Sequence, residues 1–184
     1  MTYEPFDPLD APDAGKVGGQ LTVRNILRSY HSNYDLFAEA VQNAVDAVHA
    51  RWRDDVAYEP RLLIRIDLVK NSFTVIDNGV GMTPDTCARA FAPNYSLKAA
   101  LLSGPSRRLR GHKGVGATFL SYGFNLTQMS SKYMGETWSG EIRDARRWAD
   151  GTPESKAPLV APYTEQDQFF LSLDRGTLVR VQCD

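Results

Sequence analysis

The stretch Leu36–Ala50, LFAEAVQNAVDAVHA, decides how the rest of the chain is read. Phe37, Val41, Ala44, Val45 and Val48 recur in it at helical spacing, while Glu39, Asn43 and Asp46 stand at i, i+4 and i+7 on a separate stripe. The pattern predicts a helix with one buried apolar face. Its polar stripe is unusual, because acids and an amide occur there with no Lys or Arg between Leu36 and His49. A solvated face explains such a stripe, and so does a binding edge; the helix by itself leaves both open.

Downstream, Arg61–Lys70 (RLLIRIDLVK) alternates Leu62, Ile64, Ile66 and Leu68 with Leu63, Arg65, Asp67 and Val69, which predicts a strand with one half-buried face. Asn71-Ser72 then predicts a turn and Phe73–Ile76 a second strand, making a hairpin. That strand runs into Asp77-Asn78-Gly79-Val80-Gly81-Met82. Two glycines one residue apart let the backbone turn sharply and a flat ligand come close. An acid at the strand's end suits an exocyclic amine, and Met82 offers a soft apolar surface to a ring. A plain Asn-Gly turn accounts for the same residues. Thr83-Pro84 carries the cap and first-position proline of a short helix reaching about Phe91.

From Ala92 to Arg110 no periodicity is visible, and a loop of that length in a compact domain is more often a lid than filler. Arg107, Arg108 and Arg110 are either its solvated face or contacts for phosphates. Gly111-His112-Lys113-Gly114-Val115-Gly116 follows and opens a helix; its free N–H groups and the positive end of the helix dipole suit phosphates. The P-loop pattern GxxxxGK[ST] is absent, and helix–strand packing explains many glycine-rich turns. Further strands are expected at Asn125–Met134 and Trp138–Ile142, a surface excursion over Ala149–Gln168, and a closing hairpin of Phe169–Leu173 and Thr177–Val181. Upstream, Pro5, Pro8, Pro12 and several glycines make Met1–Gly19 a flexible arm, followed by a short helix over Leu21–Tyr30. Trp52, Trp138 and Trp148 are expected to be packing residues.

The bulk numbers narrow the class. A chain of 184 residues, 42% hydrophobic with net charge -1, suits one compact domain and lacks the basic excess of a dedicated nucleic-acid-binding domain. Cys87 and Cys183 form no CxxC pair and the three histidines are scattered, so neither a disulfide framework nor a zinc site is indicated. No apolar run approaches the ~20 residues of a membrane span, and no signal segment opens the chain. A cytoplasmic protein with no membrane contact is expected.

Taken in order, Glu39-x-x-x-Asn43-Ala44-x-Asp46 on a helix, Asp77-x-Gly79-x-Gly81 after a strand, Gly111-x-x-Gly114-x-Gly116 before a helix and Gly176-Thr177 on a late strand resemble the GHKL ATPases. That superfamily takes in DNA gyrase, the large heat-shock chaperone ATPases, sensor histidine kinases, MutL and MORC proteins. The resemblance spans about Leu36 to Val181. It implies the Bergerat fold, a two-layer α/β sandwich with a mixed, mainly antiparallel sheet, helices on one face and a mobile ATP lid over about residues 92–113. It also implies one ATP-binding domain over residues 20–184.

Carried over residue by residue, the resemblance implies a general base at Glu39, which activates the attacking water, and an Asn43 ligand for Mg²⁺. Asp77 would accept the adenine amine, with Gly79, Gly81 and Met82 as the adenine wall and Thr177 beside it. Gly114, Val115 and Gly116 would give N–H groups to the phosphates, and Asp46 would act near the base through water. Asn94 and Lys98 match the polar and lysine positions at the start of a chaperone- or MutL-type lid. Lys113 is not fixed by the family pattern, but lies inside the phosphate-binding turn. Asp46-Ala47, and the lack of a phospho-accepting His on a long helix, favour ATP hydrolysis over phosphotransfer to His. Relatives complete their site with a cation from a following transducer domain, so the chain is expected to be the ATPase module of a longer protein. Its expected partners are ATP with Mg²⁺, a second copy in an ATP-dependent homodimer formed through the N-terminal arm, and a protein or nucleic acid met through downstream domains. A non-hydrolysing nucleotide switch is the alternative, and an α/β interaction domain with incidental glycine turns is the third.

Overall fold

A computed structural model describes residues 2–10, 19–29, 33–93, 115–152 and 156–183. Among them, helices α1 (Gly19–Ser29), α2 (Asn33–Asp54), α3 (Pro84–Ala90), α4 (Val115–Tyr122), α5 (Ala145–Asp150) and α6 (Gln168–Ser172) accompany strands β1 (Leu62–Asp67), β2 (Ser72–Asp77), β3 (Leu126–Tyr133), β4 (Glu136–Arg143), β5 (Val160–Pro162) and β6 (Gly176–Gln182). The strands form one open sheet in the order β1-β2-β6-β3-β4-β5, and every pairing in it is antiparallel. The α/β sandwich expected from the sequence is present. No parallel pair occurs among the described residues.

Register fixes which side chains share a face, since neighbours across strands point the same way and successive residues alternate. Phe73, Val75 and Asp77 of β2 stand beside Val181, Val179 and Thr177 of β6, which stand beside Thr127, Met129 and Ser131 of β3. This row faces α2, α3 and α4, and the main core closes there around Ala40, Ala44, Phe91, Phe119, Trp138 and Ile142. Full burial of such larger side chains is worth ~1.5–3 kcal/mol each, enough to hold the polar edge of α2 against the sheet. The chain after β2 follows the sequence expectation: the Thr83 hydroxyl accepts the Thr86 N–H at 3.2 Å and Pro84 opens α3.

Several expectations change. Phe169–Leu173 is not a strand: the Asp167 carboxylate accepts the N–H groups of Phe169 and Phe170, and that cap turns the segment into α6. A five-residue apolar run does not distinguish the two states by periodicity. The register puts Ile76 and Leu178 on the sheet face opposite α2, and they bury Phe170 of α6, so helices are not confined to one face. The excursion over Ala149–Gln168 contributes a sixth strand, with Val160 fully buried. Strand β1 is an edge whose expected half-buried face opens toward its end, with Leu62 and Ile64 each 38% and Ile66 64% exposed, because the helix layer stops over β2, and Leu68 already lies in the turn beyond it. Of the tryptophans, Trp138 and Trp148 pack inside while Trp52 is 48% exposed.

The described part of the N-terminal segment, Thr2–Asp10, is laid along the far edge of the sheet and is not free there. Phe6 exchanges backbone hydrogen bonds with Val160 at 3.0 and 2.9 Å, Tyr3 stacks on Trp138 with ring centroids 5.4 Å apart, and Pro8 is fully buried. The prolines end regular structure as expected, but the aromatic residues between them supply the contact area. On the open face, Glu165 is buried and accepts from Arg180, Tyr163 and the backbone N–H groups of Gln166 and Asp167. Its burial works upward, yet these donors outweigh it and hold the carboxyl below its ordinary range. No helix among the described residues is long and apolar enough to cross a membrane.

Candidate functional site

Between the helix layer and the sheet lies a cleft of about 90 Å³. At ~10–15 Å³ for each water it would hold, that is room for several waters or for one flat heterocycle. Asn43, Asp46 and Ala47 of α2 form one wall, Val80, Gly81 and Met82 another, and Ala117 and Ser121 of α4 a third. Asp77 and Thr177, register partners on β2 and β6, stand on its floor with Met129 and Val179.

Asp77 is the buried acid of this site. Burial pushes its carboxyl up to about 7, against the N–H groups of Gly79 and Thr177, which pull it down. The Gly79 N–H reaches the carboxylate at 2.8 Å. The turn that follows is held against α2: the Val80 N–H donates to the Ala47 carbonyl at 3.3 Å, and a Cβ on Gly79 would lie 2.5 Å from the Ala47 carbonyl carbon. Gly81 has φ +67° and a Cβ there would run into the Lys132 carbonyl oxygen, so no other residue fits without moving β3.

Asn78, between the acid and the glycine, ties this turn to the chain before β1. Its Oδ1 accepts from the Tyr58 hydroxyl and from the Arg61 N–H at 2.7 Å, and its Nδ2 donates to the Glu59 carbonyl at 2.9 Å. Arg51, at the end of α2, donates to the Asn78 carbonyl at 2.8 Å and pairs with Asp174 at 2.9 Å. Asn78→Ala is expected to destabilise the fold by roughly 1–3 kcal/mol, because it leaves the buried Tyr58 hydroxyl without its acceptor, while the part-buried Arg61 N–H and Glu59 carbonyl can turn to water. Urea denaturation of the variant beside the parent checks this.

At the other end of the stripe, Glu39 lies one helical turn before Asn43. Its carboxylate sits against Gly116 in the first turn of α4, so close that a Cβ on Gly116 would come 2.9 Å from the Glu39 Cδ. Gly116 therefore lies inside α4 rather than before it, and its lack of a side chain is what lets the acid approach the helix. Asp46 lines the cleft, with its Oδ1 accepting from Gln42 at 2.8 Å. Val115 opens α4. Asn94, Lys98, Lys113 and Gly114 fall outside the described residues.

The structure thus gathers Asn43, Asp46, Asp77, Gly81, Met82 and Thr177 around one cleft, with Gly79 behind its wall and Glu39 and Gly116 beside it. Ser131 on β3 was not foreseen. Its hydroxyl accepts the Met82 N–H at 2.9 Å and stands 3.1 Å from the Gly176 carbonyl oxygen and 3.2 Å from Thr177 Oγ1. Nothing in Leu126–Tyr133 marks it, since a serine on the inner face of a strand reads as a small core residue. Asn78 carried a weak signal as the middle residue of Asp-x-Gly.

The family comparison agrees with this geometry. The chain belongs to the family described as histidine kinase-, DNA gyrase B-, and HSP90-like ATPase, whose model matches residues 32–181. The match takes in α2, the Asp77–Met82 turn, the first turn of α4 and β6 through Val181. A search among curated proteins found no match.

Proposed function

We propose that this chain binds ATP in the cleft with its base on Asp77 and hydrolyses it with Glu39 as general base, as the ATPase module of a larger cytoplasmic assembly. The observation that carries the proposal is the polar stripe of α2. Asn43 and Asp46 line the cleft whose floor holds Asp77, while Glu39, one turn further along, lies at the first turn of α4. A base buried at Asp77 would leave its phosphates toward Asn43, Glu39 and the start of α4.

In the proposed reaction Glu39 takes a proton from water as the water oxygen bonds to the terminal phosphorus, and the bond to the bridging oxygen breaks to leave ADP. The chain fits Mg²⁺ in one respect: Asn43, whose amide oxygen is a hard ligand, lines the cleft and would hold the ion. Such an ion would neutralise charge on the phosphate oxygens.

Calorimetry with ATP and a non-hydrolysable analogue, run beside a phosphate-release assay, tests the proposal. Binding with slow release supports it; binding with no release, also in the longer protein, points to a nucleotide switch. Closure of a lid over residues 92–113 and dimerisation belong to the same reading. Exchange of the N-terminal segment would require Thr2–Asp10 to leave its own sheet edge, where Phe6 and Val160 pair. Light scattering is expected to show the analogue doubling the mass of the particle, and an unchanged mass at saturation would remove dimerisation from the account.

A further inference from the structure

We infer that the open edge of β1 docks a second copy of this chain, whose own β1 pairs with it antiparallel about Ile64, with no nucleotide required. Strand β1 pairs with β2 on one side, and no strand lies on its other side among the described residues. The edge is apolar where it is open, since Leu62, Ile64 and Ile66 are all exposed.

The backbone sets which residues can pair there. The Asn78 N–H donates to the Arg61 carbonyl at 3.2 Å, and along an antiparallel ladder the residues bonded to one neighbour alternate. Arg61, Leu63, Arg65 and Asp67 therefore turn their N–H and C=O groups toward β2. Those of Leu62, Ile64 and Ile66 point away from the sheet, in a row that an added strand can pair. Two copies of one strand pair antiparallel about a twofold axis. Outward groups meet outward groups only when that axis passes at a residue rather than between two.

Charge then selects among the central axes. An axis at Leu63 would set Arg61 opposite Arg65 twice, and an axis at Arg65 would set two Arg65 side chains against each other; like charges directly opposite are unfavourable. An axis at Ile66 pairs Arg65 with Asp67 but runs into the turn that begins at Leu68. At Ile64 the whole strand is matched: Ile64 meets Ile64, Leu62 meets Ile66, Leu63 meets Arg65 and, at both ends, Arg61 meets Asp67. Arg65 needs no acid from the second copy, because it pairs with Asp167 of its own chain. Asp67 accepts the N–H groups of Val69 and Lys70 through Oδ1, and the Arg61–Glu59 pair is solvent-exposed and so holds Arg61 weakly. The aliphatic side chains of both copies would share one face, continuing the row of Phe73 and Val75. Charges that merely guard an edge repel every copy, whereas a base at one end and an acid at the other make this register attractive.

Sedimentation velocity of the chain over a concentration series tests this, with circular dichroism to check that each variant folds. Nucleotide is left out, so the result is distinct from the dimerisation proposed above. One strand is a small contact beside the ~800 Å² per partner of a standard interface, so the wild type should pass from monomer to dimer as concentration rises. Arg61→Asp and Asp67→Arg each set like charges opposite at two places, and each should weaken the dimer by about tenfold. Mixed in equal amounts they recover both opposite-charge pairs and should dimerise about as well as the wild type; a mixture no better than either variant alone overturns the inference. If Asp67→Arg does not fold, cross-linking decides. In a Cys183→Ser background, with Cys87 buried, oxidation should join Ile64→Cys to itself at the axis. Ile66→Cys should stay unlinked, because the two copies of that position lie about 13 Å apart along the strand. Equal cross-linking at both positions overturns the inference. So does a wild type that stays monomeric at every concentration, whether its edge is open or covered by the chain's own residues.

Discussion

Glu39→Ala is expected to lower kcat for ATP hydrolysis by about 10²-fold or more while the Kd for ATP stays within a few-fold of the wild type. General bases contribute about 10²–10⁴ to rate, and the loss falls on the chemical step because the group acts on water rather than on the ground-state nucleotide. The structure adds a reason for affinity to survive. Glu39 is separate from the residues that line the cleft, and its carboxylate rests on Gly116 at the start of α4, whose N–H groups suit an anion. Removing a negative charge from that place relieves repulsion toward incoming phosphates. Single-turnover phosphate release alongside calorimetry separates the two quantities. Equal losses in binding and turnover would strip Glu39 of the role.

Asp77→Asn is expected to weaken ATP binding by roughly 10²-fold, since hydrogen bonds to a charged group are worth about 1.5–3 kcal/mol and the new amide would present a donor where the base brings one. A pH profile makes the same point without a mutation. Burial raises the Asp77 carboxyl to about 7, above its value of about 3.9 in an unfolded chain. The stability linked to this raised value is complete below about pH 4 and is lost as pH rises through about 7, where the buried carboxyl must ionise. An amine donating to the carboxylate favours the ionised form. Affinity for adenosine, which carries no phosphate to titrate, should therefore fall by up to tenfold per pH unit below about 7 and level off above it. Asp77→Asn should flatten that profile, and a flat profile in the wild type would count against the assignment.

The parts of this site legible in the sequence are those where a residue type is forced by local geometry. Gly81 is one, since its left-handed backbone and the Lys132 carbonyl beside it admit no side chain, and Asp77 at the end of a buried strand is another. The helical stripe of Glu39, Asn43 and Asp46 was visible because α2 is long and strictly periodic. What stayed hidden depends on register between strands distant in sequence. Ser131 meets Gly176 and Thr177 only because β3 pairs with β6, and an isolated serine in a strand announces nothing of that pairing. Phe169–Leu173 misled for a related reason: five apolar residues fit strand or helix equally, and Asp167 settled the matter through two side-chain hydrogen bonds. The aromatic residues Tyr3 and Phe6 were masked by the prolines around them, so the segment read as an arm when its described part is an added edge to the sheet.

The most direct measurement of the central claim is a calorimetric titration of the chain with MgATP, wild type beside Asp77→Asn. The account predicts one saturable site in the wild type, with a stabilisation of about 2.7 kcal/mol when ATP stands at 100 times its Kd, and roughly 10²-fold weaker binding in the variant. No heat and no thermal shift in the wild type at millimolar ATP, or equal affinity in the two proteins, would contradict it.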